Sequence, residues 1–394
     1  MSIESKNFET IAIRTQTERS QNNEHTAPLY LTSSFAFDDA EHARALFTDE
    51  VEGNIYSRFS NPNTSELIEK LCLLEGAEDG FATATGMSAV FSSLATFLSQ
   101  GDHVLLCKSV FGSTIQIVTQ IFPRWGIEYT YADIHKPGTW ESLIKPNTKM
   151  VMIETPSNPA LDLVDLEWLG KLCKSKGILL NVDNCFATPY LQNPIKWGAD
   201  IVSHSATKYI DGQGRVLGGV ILSSKALIEK VRFFCRHSGP AMSPFNAWIL
   251  SKSLETLAVR MDRHCSNALE IAKFLEQHPD VELVKYPFLP SHPQHELAKK
   301  QMKAGGGIVT FLVKGGVERG RKFINSLQLS SHCANLGDTR TIITHPASTT
   351  HSKISEADRE SVGVLPGLIR VSVGLEHIDD IKKDIEQALQ ASKM

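Results

Sequence analysis

The sequence has no C-x-x-C pair, and its seven cysteines, at positions 72, 107, 173, 185, 235, 265 and 333, are odd in number and scattered. That pattern excludes a disulfide framework and a thiolate zinc site, and it points to reduced thiols. Cys185, close to Asp183, reads as buried filler rather than a redox switch. No apolar run approaches the length of a membrane span. The opening MSIESKNFETIAIRTQTERS puts acids and polar residues where a signal peptide needs an apolar core, so a soluble, cytoplasmic protein is expected. Basic runs are lacking too: 40 Lys and Arg stand against 44 Asp and Glu, a formal charge of −4, which argues against nucleic acid as a partner. His292 and His295 in SHPQHELAKK are spaced like a ligand pair, but no third ligand is near in sequence and a turn before a helix start explains them. No metal is expected. There is no internal repeat or low-complexity tract.

What the chain does have is enough apolar material, 42% of 394 residues, for one large core and a smaller second one. Short Val- and Ile-rich runs recur at 101–107, 149–154, 177–183, 199–205 and 218–224, separated by amphipathic segments such as 165–176. Strands alternating with helices predict a largely parallel sheet covered on both faces, with ligands at the carboxyl ends of its strands. Glu154, Asp183 and Ser205 fall at such ends. From about residue 255 a long helical pattern leads to three prolines, at 287, 290 and 293, and then to strand-like runs at 305–313 and 368–376 with a helix near 318–326. This predicts a smaller C-terminal α+β domain. The first sixty residues have weak periodicity and end in VEGNIYSRFSNPN, which favours an extended arm with turns. The expected divisions are 1–60, 61–255 and 256–394.

Lys208 lies in DIVSHSATKYIDGQGRVLGGVI, behind Ser205 and Thr207 and ahead of a glycine-rich turn. A lysine amine held away from water is suited to Schiff-base chemistry, although a lysine taken at random is usually a solvated surface charge. TATGMSAV, at 83–90, offers a glycine at a helix start where free N–H groups suit a phosphate, and Ser205 and Thr207 can add hydroxyls to the same anion. Asp183 can pair with a cationic ring nitrogen, since ionic pairing favours the charged form of each partner. Taken singly each feature is common; their order and spacing are more specific.

YSRFSNPN (56–63), ATATGMSA (82–89), ETPSNP (154–159), VDNCFATPY (182–190), SHSATKY (203–209), GPAMSPFNAW (239–248) and IRVSVGLE (369–376) together carry a resemblance over nearly the whole chain. The sequence resembles the pyridoxal-phosphate enzymes of the Cys/Met metabolism family. The resemblance implies an α/β fold of type I, like aspartate aminotransferase, with a large mostly parallel mixed sheet and a smaller C-terminal domain. It also implies a homotetramer built as a dimer of dimers, with active sites at the dimer interface. Carried over, Lys208 would hold pyridoxal 5'-phosphate as a Schiff base and shuttle protons. Asp183 would pair the ring nitrogen, and Gly86, Met87, Ser205 and Thr207 would hold the phosphate. Tyr56 and Arg58 on the arm resemble the pair that reaches a neighbouring subunit's phosphate. Arg370 resembles the clamp on the substrate α-carboxylate, a task for a planar bidentate donor. Asn158 and Asn335 would be polar neighbours of cofactor and substrate. The plain alternative for Arg370 is an interdomain ion pair, and for Tyr56 ordinary packing.

Where most members carry a tyrosine stacked on the cofactor ring, this sequence has Phe111, which keeps the stacking but loses the hydroxyl. In the family that hydroxyl is often given a part in protonating a departing thiolate, whose acid has a pKa of about 8.5; a departing carboxylate, at about 4, needs little such help. Phe111 therefore tilts the expectation from lyases that expel a thiol toward an enzyme that expels an acyl carboxylate. HCANLGDTRTIITHPASTTH (332–351) resembles the sulfhydrylase branch, and KYIDGQGRVLGG (208–219) the O-succinylhomoserine sulfhydrylases. The expected reaction is γ-replacement, O-succinylhomoserine plus sulfide giving homocysteine and succinate, in methionine biosynthesis. Cystathionine γ-synthase and O-acetylhomoserine sulfhydrylase are the alternatives, with methionine γ-lyase and a non-catalytic binding protein further behind. Recognition of the second carboxylate of a succinyl group would need a cation near the pocket mouth; Arg215 is the candidate and Arg340 the next, while a loop-anchoring role is the plainer reading of either.

Overall fold

A computed structural model describes residues 3–350, 352 and 355–393, without the side chains of residues 357, 358 and 361; His351, the last residue of the 332–351 stretch, lies outside the described residues. Seven strands form the larger sheet: β1 (Asp79–Thr83), β2 (His103–Cys107), β3 (Glu128–Ala132), β4 (Thr148–Glu154), β5 (Leu179–Asp183), β6 (Ile201–Ser205) and β7 (Gly219–Ser223), in the order β1-β7-β6-β5-β4-β2-β3. The run from β6 through β3 is parallel, whereas β7 is antiparallel to both β6 and β1. Met150, Val151, Met152 and Ile153 of β4 are all fully buried, as a strand covered on both faces requires.

Local signals set the helix ends. The helix Pro62–Glu75 begins with a capping box in which the Asn61 side chain and Thr64 bond each other's backbone N–H region, carries proline in its first turn, and stops at Gly76 with φ of 83°. Asp165 caps Leu166–Lys176 by accepting the Trp168 N–H at 3.0 Å.

Strand β2 hands the chain to β3 on one side and β4 hands it to β5 on the other. The carboxyl ends of β2 and β4 thus flank a switch point, where doubly wound sheets open a crevice. The smaller sheet, ordered β10-β11-β9-β8, is antiparallel and comprises β8 (Val281–Lys285), β9 (Ile308–Val313), β10 (Ile342–Thr344) and β11 (Leu368–Ser372). The helix Leu257–Glu276 joins the two halves: Leu257, Met261 and Cys265 pack in a core with Tyr209 and Leu250, while Ile271 and Leu275 pack with Phe311, Phe323 and Ile369.

The continuous helix expected from 255 begins at Leu257 and follows a separate helix, Pro244–Leu254. The arm is not wholly extended, because Phe8–Arg14 and Ala40–Phe47 are helical and Ile11 and Ala12 are buried in the core that contains Leu67 and Leu71. Strands β1, β3, β8 and β10 carry no signal in the apolar runs read above. Among the described residues, no helix is long and apolar enough to cross a membrane.

Candidate active site

Lys208 follows β6 on a turn, and its Nζ donates to Asn335 Oδ1 at 2.7 Å, across 127 residues of sequence. Burial lowers its amine below the ordinary lysine range, and the nearby Arg370 charge acts in the same direction. An amine so placed is closer to its neutral, nucleophilic form. Arg370, on β11, donates from Nη1 to Asn158 Oδ1 at 3.0 Å and from Nη2 to the Asn335 carbonyl at 3.2 Å. It is buried, which lowers its pKa to about 10, and its Nε has no partner among the described residues. The structure thus brings Lys208, Asn335, Arg370 and Asn158 into one hydrogen-bonded group, with the smaller domain supplying two of the four. A buried guanidinium with a spare donor is fitted to a carboxylate.

Asp183 ends β5 and accepts the Cys185 N–H at 3.0 Å. Burial pushes its carboxyl up to about 6, and no ion pair joins it to a cation among the described residues. That position asks for a positive charge to be brought by a ligand. Glu154 ends β4 and stands beside Asp183 in the strand register. Its Oε2 accepts the Phe111 N–H at 2.6 Å, so Phe111, just past β2, is held at the switch point, where the residue is 41% exposed.

The anion cradle is equally local. Thr85 caps the helix Gly86–Ala95: its hydroxyl accepts the Ser88 N–H at 3.0 Å and its carbonyl accepts the Ala89 N–H at 3.1 Å. The N–H groups of Gly86 and Met87 are left without an intrachain hydrogen bond among the described residues. A Cβ on Gly86 would lie 2.5 Å from Ser205 Cβ, so only glycine lets the helix start come this close to the end of β6. Thr207 is turned to the glycine-rich loop, its hydroxyl accepting the Gly218 N–H at 3.1 Å.

Other predicted residues stand apart from this group. Arg58 donates to the Arg236 carbonyl and lies over the rings of Tyr56 and Phe59, at 5.6 and 4.8 Å; neither Tyr56 nor Arg58 bonds Lys208, Asn335 or Arg370. Arg215 is held by the buried Asp211, with Nε to Oδ1 at 3.1 Å, and by the Ser253 hydroxyl, which is a loop anchor. Arg340 pairs with Asp338 at 2.8 Å and bonds the Gln213 carbonyl at 3.0 Å. His292 and His295 are not in a metal-competent cluster: among the described residues no group of three His, Cys, Asp or Glu is placed to hold an ion. Sequence reasoning gave Glu154 no role beyond its place at a strand end; nothing in its local pattern reports a bond to a backbone 43 residues away.

An amine of lowered pKa, a buried carboxylate in need of a cation, a flat ring and a helix-start anion cradle match the aldehyde, ring nitrogen, ring face and phosphate of pyridoxal phosphate. The residues present fit that group.

The model of the Cys/Met metabolism PLP-dependent enzymes matches residues 9–390. An O-succinylhomoserine sulfhydrylase of Pseudomonas aeruginosa is 48% identical over 389 residues, 99% of this chain and 96% of that protein. An L-methionine gamma-lyase of Fusobacterium nucleatum subsp. polymorphum is 43% identical over 97% of both chains. A crystal structure of a candidate O-acetylhomoserine (thiol)-lyase from Campylobacter jejuni, containing N'-pyridoxyl-lysine-5'-monophosphate, superposes with a TM-score of 0.94 at 34% identity, covering 98% of this chain and 100% of its own.

Proposed function

The chain belongs to the family of Cys/Met metabolism PLP-dependent enzymes, and from that premise we propose that it catalyses γ-replacement on O-succinylhomoserine, with sulfide displacing succinate to give homocysteine. The observation that carries the choice is Phe111: its backbone N–H is held at the switch point by Glu154 and its side chain has no hydroxyl, so it offers a departing group a face but no proton. A carboxylate leaves without one, whereas a thiolate does not leave readily. The 48% identity to a sulfhydrylase supports the same choice.

Pyridoxal phosphate, when bound through Lys208, supplies an electron sink that acidifies the carbon next to it. The chain's own residues do the rest. Arg370 holds the substrate α-carboxylate through its spare Nε and its outer nitrogens, with Asn158 and the Asn335 carbonyl fixing the plane of the guanidinium. The Lys208 amine, once released by the incoming substrate, would take the α-proton, and its burial makes it easier to deprotonate than an ordinary lysine. Asn335 Oδ1 keeps that amine in place. The same amine would then relay protons between Cα and Cβ, so that loss of a Cβ proton lets the Cγ–O bond to succinate break, and would return protons to Cβ and Cα once the Cγ–S bond to sulfide has formed. Tyr56 and Arg58 serve the phosphate of a neighbouring copy in a homo-oligomer, the expected tetramer. Recognition of the succinyl carboxylate falls to Arg215 or Arg340; each already pairs with an aspartate, Arg215 with Asp211 and Arg340 with Asp338, and the Arg340 side chain is 63% exposed.

A methionine-cleaving activity is the second reading, favoured by the 43% identity to the F. nucleatum enzyme. The deciding experiment offers O-succinyl- and O-acetylhomoserine with sulfide or with cysteine, and methionine alone, scoring homocysteine, cystathionine and 2-oxobutyrate. Homocysteine from the succinyl ester should dominate. Cystathionine as the main product, or 2-oxobutyrate from methionine, would replace the proposal. In the same panel Arg215→Ala and Arg340→Ala separate the two arginines: the specificity residue raises KM for the succinyl ester more than for the acetyl ester.

A further inference from the structure

Glu154 is a buried acid with no part in the proton transfers above. It is 3% exposed and ends β4, next to Asp183 in the strand register. Among the described residues it forms no ion pair, which is costly for a buried charge and tolerable for a neutral carboxyl. Its one hydrogen bond reaches across the switch point to the Phe111 N–H at 2.6 Å, joining the ends of β4 and β2 where their onward connections diverge. Among the described residues the Phe111 N–H has no other hydrogen-bond partner.

We propose that Glu154 is a positioning residue, which acts through the Phe111 backbone to set the ring that covers the cofactor, and does so as a neutral hydrogen-bond acceptor. The charged groups around it agree. Burial raises its carboxyl well above the ordinary range and the Asp183 charge raises it further; the Phe111 N–H and the Arg370 charge oppose this and do not prevail. Two carboxylates side by side cannot both stay ionised cheaply. With Glu154 neutral, Asp183 is left to carry the charge that a cationic ring nitrogen requires.

The inference rests on the placement of Phe111 over the cofactor ring, and the test separates the two. Apoenzyme is titrated with pyridoxal phosphate, following the dissociation constant and the visible circular dichroism of the bound cofactor. Glu154→Gln keeps an acceptor oxygen and no charge, so it should stay within about twofold of the wild type. Glu154→Asp is short by one methylene and Glu154→Ala lacks the acceptor; both should weaken cofactor binding about tenfold, the size of one stacking contact, and reduce the dichroic band. Should Glu154→Ala fail to fold, Glu154→Asp carries the test. Phe111→Ala should match them, and the double variant Phe111→Ala/Glu154→Asp should be no worse than Phe111→Ala alone. A Gln variant as damaged as the Asp variant, or losses that add in the double variant, would overturn the proposal. An inert Phe111→Ala would overturn the placement of Phe111 and the route with it, whereas a damaging Phe111→Ala beside an innocuous Glu154→Asp would overturn the role of Glu154 alone.

Discussion

The sheet edge and the N-terminal arm both contribute residues to the proposed site, yet they are built on opposite terms. At the sheet edge, Asp183, Glu154 and Arg370 are held by buried strands, and each has its hydrogen-bond partner in the same chain. The arm is tied down in its first half by Thr17 N–H to Glu66 at 2.9 Å, the Ala27 carbonyl to Trp248 at 2.9 Å and Tyr30 N–H to Asn63 at 2.8 Å, and near its end by Arg58 donating to the Arg236 carbonyl. Between these ties, Leu31 is 67% exposed, Phe47 60% and Tyr56 41%. A chain that exposes several large apolar side chains on one segment has another surface in view. If the arm serves a neighbouring copy, as proposed, variants of the two regions should differ in whether a second copy can rescue them.

The largest effect belongs to the sheet edge. Lys208→Ala should abolish the visible absorption of the lysine-bound cofactor and lower kcat by roughly two to four orders of magnitude, the usual worth of a positioned acid–base group. Absorbance and steady-state assays check both. Retention of the band would move the attachment point elsewhere and dissolve the sheet-edge half of the comparison.

Next is Asp183→Asn, which should weaken cofactor binding while stabilising the empty chain. A carboxyl whose folded pKa is raised to about 6 adds stability below its ordinary value of 3.8, and loses it as pH rises through about 6. At pH 8 the empty wild type therefore bears the cost of a buried, unpaired carboxylate, on the order of 1–3 kcal/mol, which Asn removes. Its Oδ1 can still accept the Cys185 N–H. Thermal melts of the two apoproteins should differ at pH 8 and converge near pH 4. A gap that does not change with pH would mean that Asp183 is not strained by charge in the empty site.

The contrast also explains what could be read in advance. Glu154, Asp183 and Ser205 stand at the ends of apolar runs, with Lys208 three residues beyond the last, so local pattern places them on one edge of a parallel sheet. The strands without such runs are edge or polar ones: β3, EYTYA, has only Ala132 fully buried, and β10 is three residues long. Arg370 to Asn158 spans 212 residues and Lys208 to Asn335 spans 127, and no periodicity encodes a bond of that range. Arg215 was legible as a cation near the lysine, but its partner Asp211 four residues earlier is the nearer claim on it. The turn of Thr207 to the Gly218 N–H is likewise a loop contact that no spacing announces.

The smallest effect should come from the arm, and it sharpens the comparison most. On the proposed role of Arg58 at a neighbour's phosphate, Arg58→Ala should weaken cofactor binding about tenfold, with little change in the fold because Arg58 is on the surface. The decisive form is complementation. Arg58→Ala and Lys208→Ala chains are co-expressed, purified together by distinct tags and assayed at limiting cofactor. In a mixed dimer one site receives Lys208 from the first chain and Arg58 from the second, so with random pairing about a quarter of all sites regain both residues. Activity should exceed that of the two variants mixed after separate purification. If Arg58 served the site of its own chain, no mixed pairing would reunite it with Lys208, and co-expression would recover nothing.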